Sequence, residues 1–81
     1  MRLISKSLDI LLLLKEREMY LSEIERKAGI SYAHCYKSMK YFMSRGWIYR
    51  RNGKKIKTYY LTDKGKNIIE SVEKLKQLIE Q

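Results

Sequence analysis

Residues 21–31 read Leu21-Ser22-Glu23-Ile24-Glu25-Arg26-Lys27-Ala28-Gly29-Ile30-Ser31, and the architecture of the chain turns on them. Ser22 and Glu25 have the spacing of a capping box, in which an N-cap hydroxyl and a carboxylate three residues on satisfy two orphan amides reciprocally. The spacing predicts a short helix with Ile24 and Ala28 facing inward. Gly29 supplies the left-handed residue that ends it. Ser31 then caps a third helix running to about Arg45, and Gly46 stops that one. Two helices meet across a tight turn, Ala28-Gly29-Ile30-Ser31, of the kind that joins a helix-turn-helix pair.

Upstream, Arg2 to Arg17 are good helix formers. Ile4, Leu8, Leu11 and Leu12 follow the i, i+4, i+7, i+8 spacing of one buried stripe. Leu3, Ile10, Leu13 and Leu14 widen that stripe until it nearly encircles the helix, and such a helix must be covered on both sides. A second subunit is the expected cover for the outer side. Met19-Tyr20-Leu21 is a short extended link. Downstream, Trp47–Arg51 and Ile56–Leu61 are rich in aromatic and β-favouring residues, and Asn52-Gly53 between them is the strongest short hairpin signal. Thr62 caps a last helix to about Ile79. In it Ile68, Val72, Leu75 and Ile79 repeat at 4-3-4, with Ile69 and Leu78 alongside. Barely two heptads do not establish a coiled coil. Together with the over-apolar first helix they favour a homodimer, with Leu3, Ile10, Leu13, Leu14, Ile68, Val72, Leu75 and Ile79 as its expected interface.

The chain has 81 residues, 44% of them hydrophobic, so the reading is one small domain, residues 1–81, whose core is marginal for independent folding. Periodicity and composition exclude disorder, and no apolar run approaches the roughly 18 residues that a membrane span needs. Leu8 to Leu14 is followed by Lys15-Glu16-Arg17-Glu18, where a signal peptide would have its small-residue cleavage site. With a single thiol, this points to the cytoplasm. One cysteine and one histidine supply neither a disulfide framework nor a closed zinc site. No cofactor is expected.

The net charge is +9, and its placement is uneven. Residues 1–30 hold six basic and five acidic side chains, and residues 61–81 hold four of each. Residues 31–60 hold eight basic side chains and no acid. Folded proteins normally intersperse the two signs, so an acid-free basic block implies a polyanionic partner.

A helical wheel puts Cys35, Met39 and Phe42 on one side of the third helix. Ala33, Lys37, Lys40, Tyr41 and Ser44 lie opposite, with His34 and Tyr36 on the flanks. A helix lodged in a major groove sets its N-terminal residues on base edges and its later lysines on phosphates. Ser31, Tyr32, His34, Tyr36 and Lys37 are therefore the base-reading candidates. Lys40, Tyr41 and Arg45 are backbone candidates. His34 reads equally as a solvated flank residue, and Tyr32, Tyr36 and Tyr41 as cover for the helix–hairpin junction. Cys35 reads as a small buried hydrophobe.

The hairpin adds Arg50, Arg51, Asn52, Lys54, Lys55 and Lys57 as backbone candidates. With a two-residue Asn52-Gly53 turn, Arg51 would face Lys54 and Arg50 would face Lys55. Like charges directly opposite on a ladder are destabilising. An external anion offsets that repulsion through phosphate contacts and counterion release. The hairpin thus reads as a basic wing lying along a duplex.

Three stretches in this order resemble the winged-helix regulators of the MarR, PadR and ArsR kinds, and the small winged-helix proteins of archaea and their viruses. They are the helix-turn-helix start at 21–31, Arg45-Gly46-Trp47-Ile48-Tyr49-Arg50, and Tyr59-Tyr60-Leu61-Thr62-Asp63-Lys64-Gly65, which matches the Tyr-x-Leu-Thr-x-x-Gly segment that ends the wing and begins the last helix. The resemblance implies a mainly α fold with a small β-hairpin, a winged helix-turn-helix running helix, strand, helix, helix, strand, strand, helix. Residues 1–18 and 62–81 would be dimerising helices, and 21–61 the helix-turn-helix plus wing. It implies a homodimeric, double-stranded-DNA-binding transcriptional regulator. The chain is shorter than typical MarR members, and no small-molecule effector is evident. A non-specific architectural DNA binder and a winged-helix protein-interaction module are the alternatives. No enzyme is expected, since the basic block holds no acid and the lone histidine has no evident partner to orient it.

Overall fold

The computed structural model describes residues 7–80, so Leu3, Ile4 and the start of the first predicted helix lie outside the described residues. The elements follow in the order α1 (Ser7–Glu16), β1 (Met19–Tyr20), α2 (Leu21–Ala28), α3 (Tyr32–Ser44), β2 (Ile48–Asn52), β3 (Lys57–Leu61) and α4 (Asp63–Glu80). The strands form one antiparallel sheet in the order β1-β3-β2. This is the expected winged helix-turn-helix succession. The core is drawn from every element: Ile10, Leu11 and Leu14 of α1, Met19 of β1, Ile24 and Ala28 of α2, Cys35, Met39 and Phe42 of α3, Ile48, Tyr59 and Leu61 of the hairpin, and Ile69 of α4.

The inner face of α1 is rotated from the expected one. Ile10, Leu11 and Leu14 are buried, while Leu8, Leu12 and Leu13 pack against the core from its margin. On a helix apolar nearly all round, periodicity alone does not say which side faces in, and the partners decide. Ile10 and Leu14 are therefore protomer core and not dimer interface. In α4 the same sorting buries Ile69, leaves Ile68 and Val72 half-buried, and exposes Leu75, Leu78 and Ile79. Lys15 ties the two helices by donating to Glu73 at 2.7 Å.

The capping box at the start of α2 is displaced by two residues. Tyr20 is the N-cap, and the Glu23 carboxylate accepts from the Tyr20 amide at 3.5 Å. Ser22 is already inside the helix. Pairing of Met19 with Tyr59 and Tyr20 with Thr58 holds the chain extended only to Tyr20, so the helix starts at Leu21. Glu23 is buried and is bound by the Arg17 guanidinium, whose hydrogen bond holds its carboxyl below the usual carboxylate range. At the other end Gly29, with φ of 65°, ends the helix in the left-handed conformation and donates to the Glu25 carbonyl at 2.9 Å.

The hairpin tip also moves. Asn52 pairs with Lys57, Arg51 with Thr58 and Arg50 with Tyr59, and the Gly53 amide donates to the Ile56 carbonyl at 2.9 Å. Lys54-Lys55 is thus the tip, and Ile56 belongs to the exposed turn rather than to the strand. The expected Arg51–Lys54 and Arg50–Lys55 pairs do not exist. A tip at Asn52-Gly53 would set buried Ile48 opposite charged Lys57. The observed register sets Ile48 opposite Leu61, both buried. Register follows the buried face when the turn signal and the hydrophobic pattern disagree.

Thr62 caps α4 as expected, accepting from the Gly65 amide at 3.0 Å while its own hydroxyl donates to the Gly46 carbonyl at 2.6 Å. The start of α4 is thereby fastened to the turn that leaves α3.

Candidate nucleic-acid interface

α3 is positioned by its buried side and read by its exposed one. Cys35, Met39 and Phe42 face the core as the wheel requires, and Ser38 joins them. Ser38 was not expected there, because a serine carries no apolar signal. Its hydroxyl is satisfied by Ser7 at 2.8 Å, and Ser7 Oγ also lies 3.0 Å from His34 Nε2. These two contacts fasten α3 to α1. Burial pushes the Cys35 thiol up to about 11, helped by the Glu25 charge, which leaves it protonated and inert at neutral pH.

On the outer side, Tyr32, Tyr36 and Lys40 form a column at successive i+4 positions. The two rings stack with centroids 6.0 Å apart and planes at 21°. Lys40 Nζ stands 5.6 Å from the Tyr36 centroid. Lys37 and Tyr41 are exposed beside them, and Tyr41 meets Trp47 edge-on at 5.9 Å. Tyr41 therefore covers the helix–hairpin junction while keeping an exposed surface. All five base-reading candidates are exposed, and among them Ser31 and His34 are already engaged. Ser31 Oγ accepts from the His34 amide at 3.2 Å as the N-cap of α3, and the His34 ring turns to Ser7. Tyr32 is 59% and Tyr36 46% exposed, with Lys37 exposed beside them.

Every cation of residues 31–60 is exposed: Lys37, Lys40, Arg45, Arg50, Arg51, Lys54, Lys55 and Lys57. Arg45 closes α3 as its C-cap. Arg50 and Asn52 line an open cleft of about 370 Å³ with Met43, Ile48 and Tyr49, between the end of α3 and β2. Among the described residues, Arg51 is the one wing cation paired with an acid: its Nε donates to Glu18 at 3.1 Å, and its guanidinium lies over the Tyr60 ring at 5.0 Å. The Glu18 carboxylate also accepts from the Thr58 hydroxyl. Nothing local in the sequence signals Glu18, since its partners stand 33 and 40 residues away.

The geometry of the described residues offers no catalytic constellation. Among the described residues no group of three or more His, Cys, Asp or Glu side chains is placed to hold a metal ion, and no described helix is long and apolar enough to cross a membrane. What it offers is a row of exposed cations and tyrosines, from a stretch of residues 31–60 that holds no acid, on a helix–turn–helix with a hairpin beside it.

The family model described as winged helix-turn-helix matches residues 4–80. This chain belongs to the winged helix-turn-helix family. That is a DNA-binding fold of regulators, not of enzymes. The solved structures it resembles include AF1382 from Archaeoglobus fulgidus, with a TM-score of 0.85 at 21% identity, over 98% of this chain and 93% of that one. A mutant of ZitR from Lactococcus lactis gives 0.79 at 23% identity, over 91% of this winged helix-turn-helix chain and 53% of its own. The third is a homodimeric winged helix-turn-helix DNA-binding domain, Mb0332 from Mycobacterium bovis, described as a possible ArsR-family regulator. It gives 0.78 at 18% identity, over 89% of this chain and 68% of that one. At such identities these structures show the shared fold. No curated protein matches the sequence.

Proposed function

We propose that this winged helix-turn-helix protein is a homodimeric, sequence-specific binder of double-stranded DNA that acts as a transcriptional regulator. The observation that carries the reading is the outer face of α3, where Tyr32, Tyr36, Lys37 and Lys40 stand exposed on a stretch holding eight cations and no acid. In this reading α3 enters the major groove. Tyr32, Tyr36 and Lys37 meet base edges, and Lys40, Tyr41 and Arg45 hold the backbone. The wing, residues 50–57, lies on backbone or minor groove through Arg50, Asn52, Lys54, Lys55 and Lys57. Arg51 reaches a phosphate only by giving up Glu18. Ser31 and His34 contribute by fixing the start of α3 rather than by reading bases.

Residues 1–81 act as one DNA-binding domain, and the dimer is made by α1 and α4. Its surface is Leu13 with Ile68, Val72, Leu75 and Ile79, extended by exposed Leu78. A two-fold dimer favours a pseudo-palindromic site with half-sites about 10 bp apart or a multiple of it. Selection of bound duplexes from a random pool tests the proposal. An enriched inverted repeat is the expected outcome, and tight binding without enrichment would replace it with non-specific architectural binding, which the same basic stretch permits.

A further inference from the structure

The sheet has a second face that the duplex interface does not use. Side chains alternate across a strand, and burial of Ile48, Tyr59 and Leu61 turns Tyr49, Arg51, Thr58 and Tyr60 outward. Tyr20, next to buried Met19, turns outward with them. The register sets these five in two rows, Tyr20–Thr58–Arg51 across all three strands and Tyr60–Tyr49 beside it. The Tyr49 and Tyr60 rings lie 5.7 Å apart at 48°, and the Arg51 guanidinium covers Tyr60 at 5.0 Å. Tyr49 is 60% exposed and Tyr20 39%. Glu18, the carboxylate that reaches this face, is bound by both Arg51 and Thr58, which fixes the guanidinium in place.

Sheet stability accounts for part of this. Cross-strand aromatic pairs stabilise a sheet. It does not account for the open Tyr49 ring, the half-buried Tyr60 ring and a guanidinium gathered at the base of a hairpin whose residues 50–57 carry five cations and no acid. That charge calls for a polyanion. A duplex keeps its base faces stacked against one another, so it cannot lay them on these side chains. Unpaired bases can, and aromatic rings and Arg planes are the surfaces on which single-stranded bases stack.

We propose that the outer sheet face binds single-stranded nucleic acid, stacking unpaired bases on Tyr49 and on the Arg51–Tyr60 pair while Lys54 and Lys55 hold the adjoining phosphates. The stacking residues Tyr49, Arg51 and Tyr60 are distinct from the duplex-reading Tyr32, Tyr36 and Lys37 of α3, while Lys54 and Lys55 would serve both surfaces.

The test is fluorescence anisotropy with labelled oligothymidylate and oligouridylate of about 12 nucleotides, within the ~4–16 nucleotide footprints of single-strand binders, and with an abasic strand of the same length. The bases should matter. Binding to the abasic strand should fall well below binding to the base-carrying strands, and Tyr49→Ala should weaken the latter by roughly 5- to 150-fold, the equivalent of ~1–3 kcal/mol of stacking. Tyr49→Phe should retain binding, and Lys37→Ala should leave it unchanged while weakening duplex binding. Binding of either oligomer supports the site, and the stronger one identifies DNA or RNA as its source. The proposal is overturned if neither is bound, if the abasic strand binds as well as the others, or if Tyr49→Ala binds like the parent. It is equally overturned if the variant's only effect is to abolish self-association.

Discussion

A methyl group on Gly65 would stand 2.0 Å from the Trp47 carbonyl oxygen, so the first turn of α4 rests directly on the backbone that leaves α3. Gly65→Ala should destabilise the protein by about 1–3 kcal/mol, the usual cost of overpacking, read as a lower denaturant midpoint. Glu23 tests a second residue. Its carboxyl is held below the usual range by the Arg17 hydrogen bond, so it contributes stability that is fully present above the ordinary carboxylate pKa. That contribution is lost as pH falls through the depressed folded-state value. The stability gap between parent and Glu23→Gln should be widest at neutral pH and close in acid; a pH-independent gap would mean that packing alone is at stake. At this scale the sequence was legible for Gly29, Ser31 and Thr62, which act on their own neighbours, but not for the α2 cap, where strand pairing of Tyr20 moves the box from Ser22 and Glu25 to Tyr20 and Glu23. It was not legible for Glu18 or Ser38. Their partners, Arg51, Thr58 and Ser7, come from elements distant in the chain, and only the fold brings them near.

Among the elements, the wing shows how two local signals compete. Asn52-Gly53 is a strong turn dipeptide, but the tip lies at Lys54-Lys55 because Ile48 and Leu61 must share the buried face. The shift makes the wing longer and frees its charges. Arg50 and Arg51 face Tyr59 and Thr58 instead of lysines, so the hairpin has no need of an anion to relieve cross-strand repulsion. Phosphate contact by the wing then rests on exposure and charge. Lys54→Ala should weaken binding to all duplexes alike and flatten the salt slope by about one unit. An unchanged slope in salt titrations would remove the tip from the interface. α1 teaches a related lesson: its burial was readable, but its facing was not, because leucines surround it and the neighbouring elements choose the side.

Over the whole molecule, the net charge and the exposed leucines fall on different parts. Residues 31–60 hold eight cations and no acid, and the far half of α4 leaves Leu75, Leu78 and Ile79 exposed, Leu78 by 69%. The dimer account predicts that Leu78→Lys with Ile79→Lys yields a monomer by sedimentation equilibrium with helical content retained. A monomeric parent protein would contradict it. The element order and the basic stretch were both evident from residue types and spacing, since each depends on local chemistry. How the α1 and α4 surfaces divide between core and partner was not, because both uses bury leucine and isoleucine. In the proposed complex, exposed Tyr32, Tyr36 and Lys37 discriminate among duplexes. Competition of a labelled, selected duplex against bulk DNA at physiological salt tests this most directly. A preference of roughly 10³ or more for the selected site is predicted, falling on Lys37→Ala; equal competition by bulk DNA would contradict it.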